Sequence, residues 1–109
     1  GFPETTRGLF TTGGSMASFN AVLCARERYL GPDIRLGTLY TSDQAHHCVW
    51  KAAKLAGILP DRVRMLPTDD RFRLRLDALA EAVARDRADG LRPFAVVSNA
   101  GTTNTGAVD

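Results

Sequence analysis

Short strand-like runs alternate with helix-length segments along this chain, and that alternation restricts the fold more than any other feature. Leu36–Tyr40, Val63–Leu66 and Ala95–Ser98 read as strands, rich in residues that suit a pleated, buried surface. After Ser15, the residues Met16, Phe19, Val22, Leu23 and Leu30 recur at helical spacing until Gly31-Pro32 stops the run. Ser42-Asp43 reads as a second helix start, with Trp50, Ala53 and Ala56 as its body and Gly57 at its end. A third helix places Leu76, Leu79 and Val83 on an apolar stripe, Glu81, Arg85 and Asp86 on the opposite face, and Gly90 after the last turn. Pro67–Arg73 reads as a polar turn. Strands separated by helices, the last one apolar on both faces, predict right-handed βαβ units and a mostly parallel α/β sheet flanked by helices.

Length allows one domain: 109 residues, 44% of them hydrophobic, can bury a core without disulfides. No apolar run approaches the roughly 18 residues of a membrane helix, so the expectation is a soluble chain with no membrane partner. Fourteen basic against 12 acidic side chains give a net charge of +2, and the arginines between Asp61 and Arg92 are interleaved with acids. No single-sign stripe is left for nucleic acid. Cys24 and Cys48 lack zinc or disulfide spacing, which predicts no metal site and a reducing, cytoplasmic setting. The chain opens Gly-Phe-Pro-Glu, with neither an initiator Met nor a leader, so it is expected to be an internal piece of a longer polypeptide.

Three segments carry possible chemistry. In Thr11-Thr12-Gly13-Gly14-Ser15-Met16, two glycines admit a ligand close to the backbone of a helix start, and Ser15 adds a hydroxyl. The arrangement suits an anion such as phosphate, or is a plain turn with Ser15 as its helix cap. In Ser42-Asp43-Gln44-Ala45-His46-His47-Cys48, adjacent helical histidines would point about 100° apart and could not both face one ligand. One of them can lie flat against a planar ligand, act as an acid–base group, or merely hold the helix start. The third, Asn99-Ala100-Gly101-Thr102-Thr103-Asn104-Thr105-Gly106-Ala107-Val108-Asp109, follows a buried strand where open α/β sheets bind ligands. Its glycines have P-loop spacing, but Ala107-Val108 stand where Lys and Ser/Thr are required, which excludes that motif.

Taken in order, Gly-Gly-Ser-Met-Ala-Ser at 13–18, Ser-Asp-Gln-Ala-His at 42–46 with Lys51-Ala52 following, and the Gly-Thr-Thr loop ending in Asp109 resemble one family. It is the group II amino-acid decarboxylases, which depend on pyridoxal 5'-phosphate. The resemblance covers nearly the whole chain. It implies part of the large domain of the fold-type I (aspartate aminotransferase-like) enzymes, residues 1–109 being a single, incomplete domain. It further implies that Gly14 and Ser15 bind the cofactor phosphate, and that His46 rather than His47 stacks on the pyridine ring and faces the substrate. Thr103 would lie beside the cofactor, and Asp109 would support the site from the loop's end.

The implied activity is that of a carboxy-lyase, releasing carbon dioxide from an L-amino acid with the cofactor as electron sink, in a homodimer. The family's Schiff-base lysine and the aspartate that pairs with the pyridine nitrogen would both follow Asp109. Lys51 and Lys54 match neither position, so the segment alone is expected to be inactive. Aminotransferases and other lyases share this fold, and a non-catalytic anion-binding domain is the remaining alternative.

Overall fold

The computed structural model describes all residues, Gly1–Asp109. Helices α1 (Gly14–Tyr29), α2 (Cys48–Leu55) and α3 (Leu76–Ala88) alternate with strands β1 (Gly37–Ser42), β2 (Val63–Leu66) and β3 (Arg92–Val97). The sheet has the order β2-β1-β3 with both pairings parallel, so the predicted α/β architecture is the one found. Central β1 is buried along its whole length. Successive side chains of a strand point to opposite faces, and β1 shows why two hydrophobic layers form. Leu39 joins Val22, Leu30, Val49, Ala52, Ala53, Ala56, Ile58 and Phe94 beneath α1 and α2, whereas Tyr40 joins Leu66, Leu74 and Ala82 beneath α3.

The small side chains of α2 let it approach the sheet and α1 closely. Arg26 of α1 then donates from Nη1 to the Ala56 carbonyl at 2.6 Å, satisfying an otherwise open acceptor at the end of α2. Helix α1 leads into β1 and α2 connects β1 to the parallel β2, so both run against the strands and lie parallel to one another, with both N-terminal ends at the carboxyl edge of the sheet. Contacts at both ends of the pair agree: Ser18 Oγ meets Cys48 Sγ at 3.6 Å near the starts, and Arg26 meets Ala56 near the finishes.

The structure departs from the sequence expectation in five places. Helix α2 begins at Cys48, not at Ser42-Asp43, because β1 continues through Ser42, which pairs with Leu66. Asp43 then accepts hydrogen bonds from Thr68 and Gln44 rather than from helix amides. Helix α1 is capped by Gly13 instead of Ser15. Strand β3 starts earlier, at Arg92, and is not covered on both faces, since Val96 remains 50% exposed. Residues 67–75 form a small hairpin, bridged at Thr68 and Leu74, in which the Asp69 carboxylate accepts from the Arg71 and Arg73 amides and from the Arg73 guanidinium. These bonds hold Phe72 at φ 60° and hold the Asp69 carboxyl down at about 2.

The fifth departure is Asp86, which lies on the buried face of α3, only 3% exposed. It accepts from Tyr40 Oη at 2.7 Å and from Arg64 Nε and Nη2 at 3.0 and 2.5 Å, while Tyr40 Oη also meets Thr38 Oγ1 at 2.8 Å. Arg64 holds the Asp86 carboxyl below the usual carboxylate range against the opposing effect of burial, and the Tyr40 hydroxyl assists. Every member of this network has a partner, the condition under which a buried charge is tolerated.

Candidate cofactor-binding site

The three chemically suggestive segments meet at the carboxyl edge of the sheet, where open α/β folds place their ligands. Helix α1 contributes its start. Gly13 caps it at φ 135°, a conformation L side chains rarely adopt, and no side chain bonds to the first-turn amides. Ser, Thr, Asp or Asn usually fills a cap position and occupies those amides; glycine leaves them without a side-chain partner, and a Cβ added at Gly13 or Gly14 would meet nothing within 4 Å. The first turn also carries no acidic residue, and Ser15 is exposed within it. Amide donors, the positive end of a 16-residue helix and a free hydroxyl make a cradle whose chemistry suits an anion such as phosphate.

Helix α2 begins beside this cradle, as the Ser18–Cys48 contact shows, and the turn that enters it carries the histidines. His46 and His47 precede the helix instead of lying within it, so the helical angle that would separate them does not apply. Their rings sit 4.0 Å apart, tilted by 38°. His46 Nδ1 accepts the Cys48 amide at 3.2 Å, which fixes the ring and puts the proton of the neutral form on Nε2. His46 lowers the proton affinity of His47, with burial and Lys51 adding to the effect, and so favours its neutral form.

Both rings border a cavity of about 280 Å³, floored by Val49, Val63 and Met65 and walled by Trp50. The cavity opens toward β2, and neither the Gly13–Ser15 turn nor the 99–109 loop lines it. It therefore does not join the three segments.

The loop after β3 closes on itself. Ala100 and Val108 form an antiparallel bridge, Thr102 N donates to the Ala107 carbonyl at 2.9 Å, and the Thr102 hydroxyl bonds to Thr105 Oγ1 at 2.6 Å. Thr102 is thereby buried and consumed by internal bonds, whereas Thr103 stands exposed at the turn. The Asp109 carboxylate accepts from the Leu74 and Asn99 amides, each at 2.7 Å, and from Asn99 Nδ2 at 2.9 Å. Burial pushes its proton affinity up, but these donors outweigh it and leave the carboxyl below its ordinary range. Sequence reading overlooked three members of this arrangement: Ser42, which accepts from Asn99 Nδ2 at 3.1 Å, Asn99 itself, and Asp43.

A parallel sheet with an open helix start, a fixed imidazole and a hydroxyl-bearing loop at its carboxyl edge is an α/β arrangement suited to a phosphate-bearing, ring-containing ligand. Residues 2–109 match the pyridoxal-dependent decarboxylase conserved domain, and the chain belongs to that family. It is 43% identical over its full length to an aromatic-L-amino-acid decarboxylase of Bacillus atrophaeus, of which it covers 23%. Identity to an L-2,4-diaminobutyrate decarboxylase of Rhizobium meliloti is 37% over 98% of the chain and 22% of the relative. The Catharanthus roseus tryptophan decarboxylase in complex with L-tryptophan superposes on 91% of the chain with a TM-score of 0.80 and 38% identity, and 22% of that structure is covered. The Oryza sativa TDC with PLP aligns over 87% of the chain and 22% of its own length, with a TM-score of 0.83 and 33% identity. The chain thus spans under a quarter of the proteins it resembles.

The residues present fit pyridoxal 5'-phosphate: the uncapped glycine turn has room and donors for the phosphate, and His46 offers a flat face for an aromatic ring.

Proposed function

We propose that this chain is the phosphate- and ring-binding segment, an incomplete large domain, of a pyridoxal-phosphate-dependent L-amino-acid decarboxylase that works as a homodimer. The observation that carries the reading is the convergence of the glycine-capped α1 start, the His46 turn and the Thr103 loop on one edge of a parallel sheet. The cofactor supplies an electron sink when bound. The amides of Gly14 and Ser15 and the Ser15 hydroxyl hold its phosphate, charge-assisted bonds that are individually strong. His46 presents a ring fixed by the Cys48 amide, so no rotation is needed to set the plane against which the cofactor lies. Thr103 offers its free hydroxyl from the loop turn. Asp109 acts behind them, bracing the loop against the 67–75 hairpin.

The test is carbon dioxide release by the full-length polypeptide over a panel of aromatic, acidic and diamino L-amino acids with added pyridoxal phosphate. Stoichiometric amine and carbon dioxide from at least one class is the expected result. Transamination without carbon dioxide release would overturn the reading. Replacing Ser15 by Ala should weaken cofactor retention roughly tenfold or more, the loss expected when a hydrogen bond to a charged group is removed.

A further inference from the structure

The loop carrying Thr103 is closed by its own hydrogen bonds, so its attitude toward the rest of the site is decided at its base. There, Asn99 Nδ2 divides its two donors between Ser42 Oγ at 3.1 Å and Asp109 Oδ2 at 2.9 Å. The Asn99 amide also donates to Asp109 Oδ2, and Asp109 N returns a bond to the Asn99 carbonyl at 2.9 Å. Ser42 is fully buried at the end of β1, the strand that leads into the His46 turn. The second oxygen of Asp109 takes the Leu74 amide of the hairpin, and Thr68 of that hairpin bonds Asp43, next to Ser42. Three carboxyl-edge loops thus share one junction, and the Asn99 amide is the side chain that links β1 to the Thr103 loop.

We infer that Asn99 is a positioning residue for the cofactor ring: its carboxamide, shared between Ser42 and Asp109, sets how the 99–109 loop presents Thr103 beside the His46 turn. The inference rests on the cofactor-site reading above. Asn suits the task because it offers two donors from one planar group. Leucine of similar size would remove the donor to the Ser42 hydroxyl and one of the three bonds to the Asp109 carboxylate, which keeps the Leu74 and Asn99 backbone amides, and aspartate would set a second carboxylate against Asp109. The phosphate cradle at Gly13–Ser15 belongs to α1 and shares no bond with this junction. Disturbing Asn99 should therefore weaken recognition of the ring and spare recognition of the phosphate.

The experiment uses the full-length apoprotein, with pyridoxamine 5'-phosphate and inorganic phosphate as separate probes and urea unfolding as a check on folding. For N99L the expected result is a loss of about tenfold in pyridoxamine phosphate affinity, with inorganic phosphate affinity unchanged within about twofold. S42A removes one of the two acceptors and leaves the loop's own closure intact, so it should show the same selective loss at about threefold, and it decides the matter should N99L fail to fold. Unchanged affinity for both probes, or equal loss of both, would overturn the positioning role. S15A separates this outcome from failure of the underlying site: if that variant binds both probes as the parent does, the cradle assignment itself is wrong.

Discussion

Replacing Asp86 by Ala tests the most demanding feature of the fold, a carboxylate 3% exposed at the centre of a polar network. The change removes the acceptor for the paired Arg64 guanidinium bonds and for the Tyr40 hydroxyl. Breaking a buried charge pair by deleting one partner costs about 3–5 kcal/mol. Two features place the cost near the lower bound. The Arg64 side chain is 32% exposed and can turn toward water, and Tyr40 Oη keeps Thr38 Oγ1 at 2.8 Å. About 3 kcal/mol is then a large share of the 5–15 kcal/mol that holds a domain together, and with a urea slope near 1.5 kcal/mol/M the midpoint falls by about 2 M. Far-UV circular dichroism of the chain against urea reads this directly. Tyr40→Phe removes one hydrogen bond and no charge, so it should cost only about 1 kcal/mol. The sign of the acid dependence follows from Arg64, which lowers the folded-state proton affinity of Asp86 despite burial. That stabilisation is present above the unfolded value of about 3.9 and is lost as pH falls through the folded value, so the advantage over Asp86→Asn must shrink below about pH 4. A D86A variant within about 1 kcal/mol of the parent, or one no worse than Y40F, would refute the reasoning.

The same network predicts an alkaline limit. Burial, assisted by Asp86 against the opposing Thr38 bond, raises Tyr40 to about 12, so stability present below the unfolded value of about 10 is lost as pH rises from there toward 12. The difference in phenolate absorbance at 295 nm between the parent and Y40F, which subtracts exposed Tyr29, should appear together with unfolding of the parent, and Y40F should lack this unfolding limb; a Tyr40 phenolate formed without unfolding would count against it. The adjacent threonines should separate cleanly. Thr102→Val removes the hydroxyl that the Thr105 and Ala107 amides contact at 3.3 and 3.2 Å, and should speed amide exchange across the loop, whereas Thr103→Val should leave exchange unchanged and weaken pyridoxamine phosphate binding. Equal exchange in the two variants would erase the distinction.

Periodicity made the helices and the parallel sheet legible because each rests on local spacing: β2 was read to the residue, and α1 and α3 lay where their apolar residues recur. The second helix start was misread for a physical reason. Ser-Asp signals a cap only when helical amides follow, and pairing of Ser42 with Leu66 kept the chain extended past that signal. Asp86 was assigned to solvent by its charge, although it lies seven residues after Leu79 and four after Ala82, on the line of the apolar stripe. Its position outweighed its polarity because Arg64 and Tyr40, on two different strands, supply the donors. Pairings of that kind join residues 22 and 46 positions apart and leave no trace in a window of local pattern.

The site shows the same division between what a motif states and what a fold decides. A run such as Gly-Thr-Thr offers two equivalent hydroxyls, and only closure of the loop consumes one and frees the other. Across the carboxyl edge, Asp43, Asn99, Thr102 and Asp109 spend their polar atoms on neighbouring protein groups, while Ser15 and Thr103 stand exposed and His46 engages a single nitrogen. Buried polar atoms need partners to be stable, and a ligand needs donors that are not already taken. The first group must therefore be ordered before the second can be presented. A substitution in the bracing group should act on ligand affinity through loop geometry, and one in the free group should act on it without moving the loop.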